Sequence, residues 1–183
     1  MSGAICGKDR VPVKSGFRSF YGMIFTICIA IAGGIFWYGN QLVLRITPDD
    51  NQKTFSFTTF IGDKWHYKYI HSVEKTPCEE YFVINGANDM VMLYTKYEDF
   101  GVGLPFWASE GKFTATDDGH FIMEMNRPFK SVVFRTAKQA KASLYYAGKE
   151  IPMYKLYKSG SLVKISVDKR YRNWFGFERG KDK

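Results

Sequence analysis

The chain opens with one long apolar stretch and continues with short alternating segments. Residues 19–38 carry no charged side chain, and 20 such positions are what an α-helix needs to cross the roughly 30 Å hydrocarbon core of a bilayer. The charged residues before the stretch are mainly basic: Lys8, Arg10, Lys14 and Arg18, opposed by Asp9. By the positive-inside rule the N-terminus is cytoplasmic. We therefore predict a cytoplasmic basic tail at 1–18 and a transmembrane signal anchor at 19–38.

Two alternatives to an uncleaved anchor stay open. Ala30-Ile31-Ala32 resembles a signal-peptide cleavage site, which would release the domain after Ala32. The apolar run, however, continues to Trp37, whereas the apolar region of a signal peptide usually stops before the cleavage site. The uncleaved anchor and the cleaved signal peptide both place the domain outside a cytoplasmic (inner) membrane, with a periplasmic or equivalent location. A buried core helix of a soluble protein is the remaining alternative.

After residue 40 the pattern changes to short extended segments separated by turn residues. Residues 65–71 alternate, with Trp65, Tyr67, Tyr69 and His71 on one face. Residues 89–96 are apolar on both faces, which is typical of an internal strand. The predicted strands are 42–46, 54–60, 65–71, 79–84, 89–96, 111–113, 120–125, 129–136, 143–147, 151–156 and 162–167.

This spacing predicts an all-β domain at 39–168, an antiparallel β-sandwich or barrel preceded by the transmembrane helix. The 16 Phe, 12 Tyr and 4 Trp residues agree, because aromatic side chains suit a pleated, half-buried surface. A basic, aromatic C-terminal tail follows at 169–183. It is either solvated or docked on the lipid surface, so we predict that Trp174 and Phe175 face the membrane, as Trp37 and Tyr38 do.

Charge placement argues against a nucleic-acid-binding protein, and cysteine content argues against a disulfide-bonded domain. The net charge is +8, which suits nucleic-acid binding, but the N-terminal cations are explained by topology and an exported domain rarely meets nucleic acid. Cys6, Cys28 and Cys78 fall inside, within and outside the membrane, so we predict no disulfide within the chain. Cys78 is predicted to be a small buried residue.

Residues 69–80 concentrate hydroxyl and ionisable groups where a strand ends. One interpretation is a metal site formed by His71 with Glu74, Glu79 or His66, but His66 and His71 face opposite ways on a strand. Another is a hydrolase with Ser72 as nucleophile and His71 as base, but sequence neighbours point apart and no G-x-S-x-G elbow occurs. We favour a structural or recognition loop, and predict no catalytic residue, metal or cofactor.

Two motifs together point to a family. The segment YIHSVEKTPCEEYF at 69–82, followed by FGVGLP at 100–105, resembles the signature Y-x-H-S-V-E-K-T-P-V-x-E and then F-G-A-G-L-P. This is the signature of DUF1850, an uncharacterised bacterial and archaeal domain-of-unknown-function family. The resemblance covers roughly residues 42–160. Cys78 replaces the expected Val, and Val102 the expected Ala, with little change in size.

The resemblance implies a partner rather than a reaction. Genes of this family commonly lie beside those of TAXI-type TRAP transporters, so we expect an accessory protein that contacts the transporter's membrane subunit or its substrate-binding protein. The residues carried over as contact residues are Tyr69, His71, Ser72, Glu74, Lys75, Thr76, Glu79, Gly101, Gly103, Leu104 and Pro105. A small-ligand or ion-binding domain and a membrane-bound hydrolase are the alternative functions.

Overall fold

The computed structural model describes residues 16–50, 52–99, 109 and 111–174. The chain divides into two compact units, Met1–Tyr38 and Gly39–Lys183. The first contains an α-helix, and the second contains the β-domain. Each unit is described by itself below.

The helix α1 spans Gly16–Gly39. Its apolar part, Phe20–Gly39, has 20 residues and a mean hydropathy of 1.9, so it is long and apolar enough to cross a membrane. Its apolar side chains are exposed, Phe36 by 73% and Trp37 by 70%, unlike those of a core helix. The Thr26 hydroxyl donates to the Gly22 carbonyl at 2.9 Å, so the hydroxyl has a hydrogen-bond partner within the helix and needs no water. Such a helix is consistent with a single-pass anchor or with a signal sequence.

The second unit consists of two antiparallel sheets, as predicted for the all-β class. Its elements are β1 (Leu42–Pro48), β2 (Phe55–Thr59), β3 (Lys64–Ile70), β4 (Pro77–Gly86), β5 (Asp89–Tyr97), β6 (Lys112–Ala115), β7 (Phe121–Phe129), β8 (Ser131–Arg135), β9 (Ser143–Tyr146), β10 (Lys149–Ile151), α2 (Met153–Leu156) and β11 (Leu162–Lys169). A four-stranded sheet has the order β2-β1-β11-β8, and a seven-stranded sheet the order β10-β9-β3-β4-β5-β7-β6. A 3₁₀ helix at Arg170–Asn173 follows β11.

The two sheets share one apolar core, which makes the domain a β-sandwich. The smaller sheet contributes Leu44, Ile46, Val163, Ile165 and Val167, and the larger sheet contributes Trp65, Phe82, Ile84, Met90 and Leu144. At the centre Trp65 stacks on Phe82 with ring centroids 4.2 Å apart. The period of two in β3 and β11 explains the burial, because alternate side chains point to the same face.

Most predicted strands are confirmed, with three corrections in the C-terminal half. Of the strand predicted at 151–156, only Ile151 lies in a strand, as the last residue of β10, and Met153–Leu156 instead form the short helix α2. Pro152 precedes the helix; it has no amide hydrogen to donate to a strand ladder, which explains the stop. Phe129 belongs to β7 and not to the following strand, because the chain passes from one sheet to the other at Lys130. β11 runs to Lys169, one residue beyond the predicted domain end.

The domain has two distinct ends, set by strand register. At the end that follows the predicted anchor α1, called the anchor end below, Leu42 pairs with both Lys169 and Thr59. The Asn88 amide in the β4–β5 turn donates to the Val167 carbonyl at 2.7 Å. Gly39, where α1 ends, is three residues from Leu42.

The signature end lies at the other end of β4. There Ile70 pairs with Pro77 and Cys78 with Tyr97, so the 71–76 turn and the last residue of β5 are neighbours. The 10 residues of β4 separate the two ends by roughly 30 Å. The second motif, 100–105, follows β5 in sequence but lies outside the described residues.

Candidate functional site

The signature turn, residues 71–76, is closed by hydrogen bonds of His71. The His71 amide donates to the Thr76 carbonyl at 2.9 Å, and the Lys75 amide donates to the His71 carbonyl at 3.1 Å. The buried imidazole accepts from the Glu74 amide at Nδ1, 3.3 Å away. Lys75 has a φ of 60°, which costs a non-glycine residue about 1–3 kcal/mol. His71 therefore holds the turn in one conformation.

The tip of the signature turn presents a small mixed surface. Ser72, Val73 and Lys75 are exposed, and Val73 is 59% accessible. The Lys75 ammonium folds back and donates to the Ser72 carbonyl. Behind the tip, the Thr76 hydroxyl is buried and has no hydrogen-bond partner within the described part of the chain. A rigid tip with one apolar, one hydroxyl and one cationic side chain suits contact with another protein.

A half-buried carboxyl group lies on the inner face of the larger sheet beside the turn. Tyr69 donates its hydroxyl to Glu80 Oε1 at 3.2 Å. Burial raises the pKa of Glu80 against the opposing effects of Tyr69 and of the Arg127 charge. Cys78, two positions away on the same face, is fully buried as predicted. Burial, with the nearby Glu80 charge, raises the pKa of the Cys78 thiol to about 11, so the thiol stays protonated at neutral pH.

Glu80 was not among the predicted contact residues, although the final Glu of the family signature corresponds to it. Glu79, a predicted contact residue, lies on the opposite, outer face, where it pairs with Lys68. The signal that distinguishes them is the period of two in β4, where Cys78, Phe82 and Ile84 are all fully buried. A glutamate in phase with these residues must point inward. Burial of its carboxyl group is unfavourable unless the group has a hydrogen-bond partner.

Replacing Glu80 by glutamine should stabilise the domain at neutral pH by about 1 kcal/mol, the usual scale for relieving a buried polar group. The folded pKa of Glu80 lies above its unfolded value, so the fold favours the protonated form. The ionisation penalty is therefore absent below about pH 4.3 and grows as the pH rises through the folded pKa. Urea unfolding of wild type and E80Q between pH 4 and pH 8 should show a difference that increases with pH.

The neighbouring carboxyl of Glu79 provides a matched control. Burial raises the pKa of Glu79, but hydrogen bonds from Lys68 and Tyr81 and the Lys68 charge outweigh it, so the pKa is lowered. E79Q should therefore lose stability at neutral pH where E80Q gains it. Equal changes in both variants would contradict the assigned environment of Glu80.

The outer face of the larger sheet carries a ladder of stacked rings across four strands. His66 lies between Tyr145, at 4.6 Å, and Tyr81, at 4.8 Å, and Tyr81 stacks on Tyr94 at 4.3 Å. Burial lowers the pKa of His66 and outweighs the opposing Glu79 charge, so the imidazole is neutral at pH 7. Because each ring packs against the face of its neighbour, the ladder stabilises the pairing of the strands. Stacked ring faces are not accessible to a flat ligand.

A charged cluster lies beside this ladder. Lys68 Nζ is 2.8 Å from Glu79 Oε1, and His120 Nε2 is 3.4 Å from Glu98. With Pro77 and Lys96, these side chains line a depression of about 60 Å³. Small-molecule sites usually measure about 300–1,000 Å³, so this depression has room for water or a small ion only. It lies on the other side of the sheet from Tyr69 and His71.

The geometry bears on the metal and hydrolase interpretations. Within 16–50, 52–99, 109 and 111–174, no group of three or more His, Cys, Asp or Glu side chains is placed to hold a metal ion. His66 lies on the outer face and His71 is buried, as their odd spacing predicts. Ser72 is exposed, whereas Nδ1 of His71 already accepts the Glu74 amide and so does not serve Ser72 as a base.

The remaining predicted residues fall in three places. Trp37 and Tyr38 are exposed side chains of α1, at 70% and 46%. Trp174 is 48% exposed and lies at the anchor end, where a Cβ added to Gly39 would come within 3.1 Å of its ring. The predicted contact residues Gly101, Gly103, Leu104 and Pro105, and the predicted membrane-facing Phe175, lie outside the described residues.

Comparison with known families bears on the signature turn and the sheet that carries it. A family model described as "Domain of unknown function (DUF1850)" matches residues 66–153. Residues 66–153 belong to the DUF1850 family. The match runs from β3 to α2, so it includes the signature turn, Glu80 and the stacked rings, and it confirms the resemblance seen in the two motifs. Comparison with curated proteins and with solved structures gave no match.

Proposed function

We propose that this DUF1850 protein is a membrane-anchored accessory protein of a TAXI-type TRAP transporter and acts by protein–protein contact through the signature turn. The observation that carries the proposal is a family-specific turn held rigid by His71 while its tip stays exposed. Pre-organised loops of this kind bind at a lower entropic cost. The proposal assigns no catalytic residue.

The proposed location is a cytoplasmic membrane, with the N-terminus inside and the β-domain outside. Support comes from the apolar helix Phe20–Gly39 and from the basic residues that precede it. The helix is proposed to remain as a signal anchor, because its apolar run continues past Ala32.

Of the two possible partners, the geometry favours the extracytoplasmic substrate-binding protein for the signature turn. The turn lies at the end of the domain opposite to Gly39, roughly 30 Å away along β4. A surface in that position is better placed for an extramembrane partner than for the transmembrane part of a permease. The permease is then the partner expected nearer the anchor end.

Affinity purification from native membranes in mild detergent tests this function. Wild type should co-purify with transporter subunits, whereas the double variant Val73→Asp, Lys75→Glu should recover several-fold less. The substitutions place a charge on the apolar contact and reverse the cation, and like or desolvated charges at an interface are strongly unfavourable. Mass spectrometry of the eluted proteins measures the recovery.

Val133→Asp is the matched control, because Val133 in β8 is 54% exposed against 59% for Val73. The control should bind as wild type does. Recovery of wild type without any transporter subunit would argue against the transporter. Equal loss of binding in the two variants would argue against the signature turn as the contact surface.

An ion-binding function is the second candidate, and the charged cluster of Lys68, Glu79, Glu98 and His120 is what favours it. A thermal-shift screen against divalent cations, simple anions and small organic acids tests it, because a ligand that binds only the folded state raises the melting temperature. No stabilisation by any of them would remove this candidate. The hydrolase alternative gains no support from the contacts of Ser72.

A further inference from the structure

The β2–β3 connection exposes two large apolar side chains in a tightly built turn. Phe60 is 66% exposed and Ile61 is 71% exposed, more than any other large apolar side chain that the structure describes outside α1. Burying such side chains is normally favourable, and single exposed ones are common. Two adjacent ones at the tip of a turn are a candidate contact surface.

Hydrogen bonds and a glycine in the left-handed region define the conformation of this turn. Gly62 has a φ of 93°, which glycine adopts without strain, and the Asp63 amide donates to the Phe60 carbonyl at 3.2 Å. Asp63 Oδ2 accepts from the Phe60 amide at 3.0 Å, from the Thr59 hydroxyl at 3.0 Å and from the Tyr146 hydroxyl at 2.7 Å. These bonds hold the two apolar side chains outward.

The turn lies at the anchor end of the domain. Thr59, the residue before Phe60, pairs with Leu42, and Leu42 follows Gly39 by only three residues, roughly 10 Å of extended chain. The ring of Trp174 packs beside Gly39 at the same end. Phe60, Ile61 and Trp174 therefore lie at the same end of the β-domain as Gly39.

Basic side chains lie at the same end of the domain as these apolar side chains. Lys169 donates to the Asn40 side chain at 3.0 Å, and Arg170 donates to the Gln41 side chain at 3.1 Å. Arg172 follows in the 3₁₀ helix and pairs with Asp168 at 2.8 Å. Basic residues beside apolar and aromatic ones are typical of surfaces that rest on anionic lipid headgroups.

We propose that Phe60 and Ile61 insert into the headgroup region of the membrane that α1 crosses, and that with Trp174 they fix the anchor end against the lipid. The occupant is a phospholipid surface containing anionic headgroups. This inference rests on the membrane anchoring proposed above. Its consequence is a second contact of the chain with lipid, made by the anchor end of the β-domain, whereas the signature turn lies at the other end of that domain.

Photo-crosslinking of the full chain in lipid nanodiscs tests the inference. Benzoylphenylalanine is placed at position 60, 61, 73 or 133 in separate samples, in nanodiscs that contain phosphatidylglycerol. Lipid adducts, measured by mass spectrometry, should be several-fold more abundant at 60 and 61 than at 73 and 133. All four native side chains are more than half exposed, so exposure alone does not produce this pattern.

Two results would overturn the proposal, and they differ in meaning. Equal lipid labelling at all four positions, in protein that co-purifies with the nanodisc, would show an anchored domain with no preferred end. Loss of the chain from the nanodisc, or a mature N-terminus after Ala32, would remove the membrane anchoring as well. The double substitution Phe60→Ser, Ile61→Ser serves as a check in a further sample that carries benzoylphenylalanine at position 174. It should leave the melting temperature nearly unchanged while lowering lipid labelling at position 174.

Discussion

Replacing Phe82 by alanine should remove about 3–5 kcal/mol from the free energy of unfolding of the β-domain. Phe82 is fully buried, stacks on Trp65 at 4.2 Å and meets Phe129 edge-on at 5.8 Å. The substitution leaves a cavity at the place where the two sheets meet. Since domains are stable by about 5–15 kcal/mol in all, the variant should be close to unfolded at physiological temperature.

Urea unfolding of the full chain in mild detergent, followed by tryptophan fluorescence, measures this loss, because Trp65 reports directly on the cavity. Val133→Ala is the control: its side chain is exposed, so the change should stay within about 0.5 kcal/mol. A loss for Phe82→Ala no larger than that of the control would mean that the two sheets do not share this core.

Replacing Asp63 by alanine should cost about 2 kcal/mol. Its carboxylate accepts three hydrogen bonds, and hydrogen bonds to charged groups contribute about 1.5–3 kcal/mol each when buried. Because the carboxylate is partly exposed, solvent screening reduces the total well below that sum. Asp63→Asn should cost less, since it keeps an acceptor oxygen and loses only the charge.

The two Asp63 variants also make a prediction about pH. Burial raises the pKa of Asp63, but the bonds from Tyr146, the Phe60 amide and Thr59 outweigh it, so the folded pKa is lowered. The stabilisation is therefore fully present above the unfolded value of about 3.9 and is lost as the pH falls through the folded value. Wild type should lose stability relative to Asp63→Asn below pH 4, and parallel urea midpoints down to pH 3 would contradict this.

The two ends of the domain connect these predictions to function. Asp63 shapes the turn proposed to rest on lipid, and His71 shapes the turn proposed to contact a partner, with the Phe82 core between them. Variants of Phe82 should therefore impair both contacts. Variants of Ile61 or Val73 should each impair one contact and leave the fold intact, which separates loss of function from loss of structure.

Much of the fold could be predicted from local pattern. The apolar stretch at 19–38, the inward face of Trp65, Tyr67 and His71, and the β6–β7 hairpin all depend on neighbours within a few residues. The strand predicted at 151–156 is wrong because it rests on the apolar composition of the segment and does not weigh Pro152, which has no amide hydrogen for a strand ladder. The inward position of Glu80 follows from the period of two in β4, which is visible in the sequence.

The sequence by itself determined the class of the domain, the apolar helix and the family, because a period of two, a length of 20 uncharged residues and two motifs are all readable along the chain. Only the tertiary structure decided which strands pair, and therefore which loops share an end. The pairing of Leu42 with Lys169 and of Cys78 with Tyr97 joins residues that no local pattern connects. That is why Phe60 and Ile61, which no sequence motif singles out, lie at the same end of the domain as Gly39, and the signature turn lies at the opposite end.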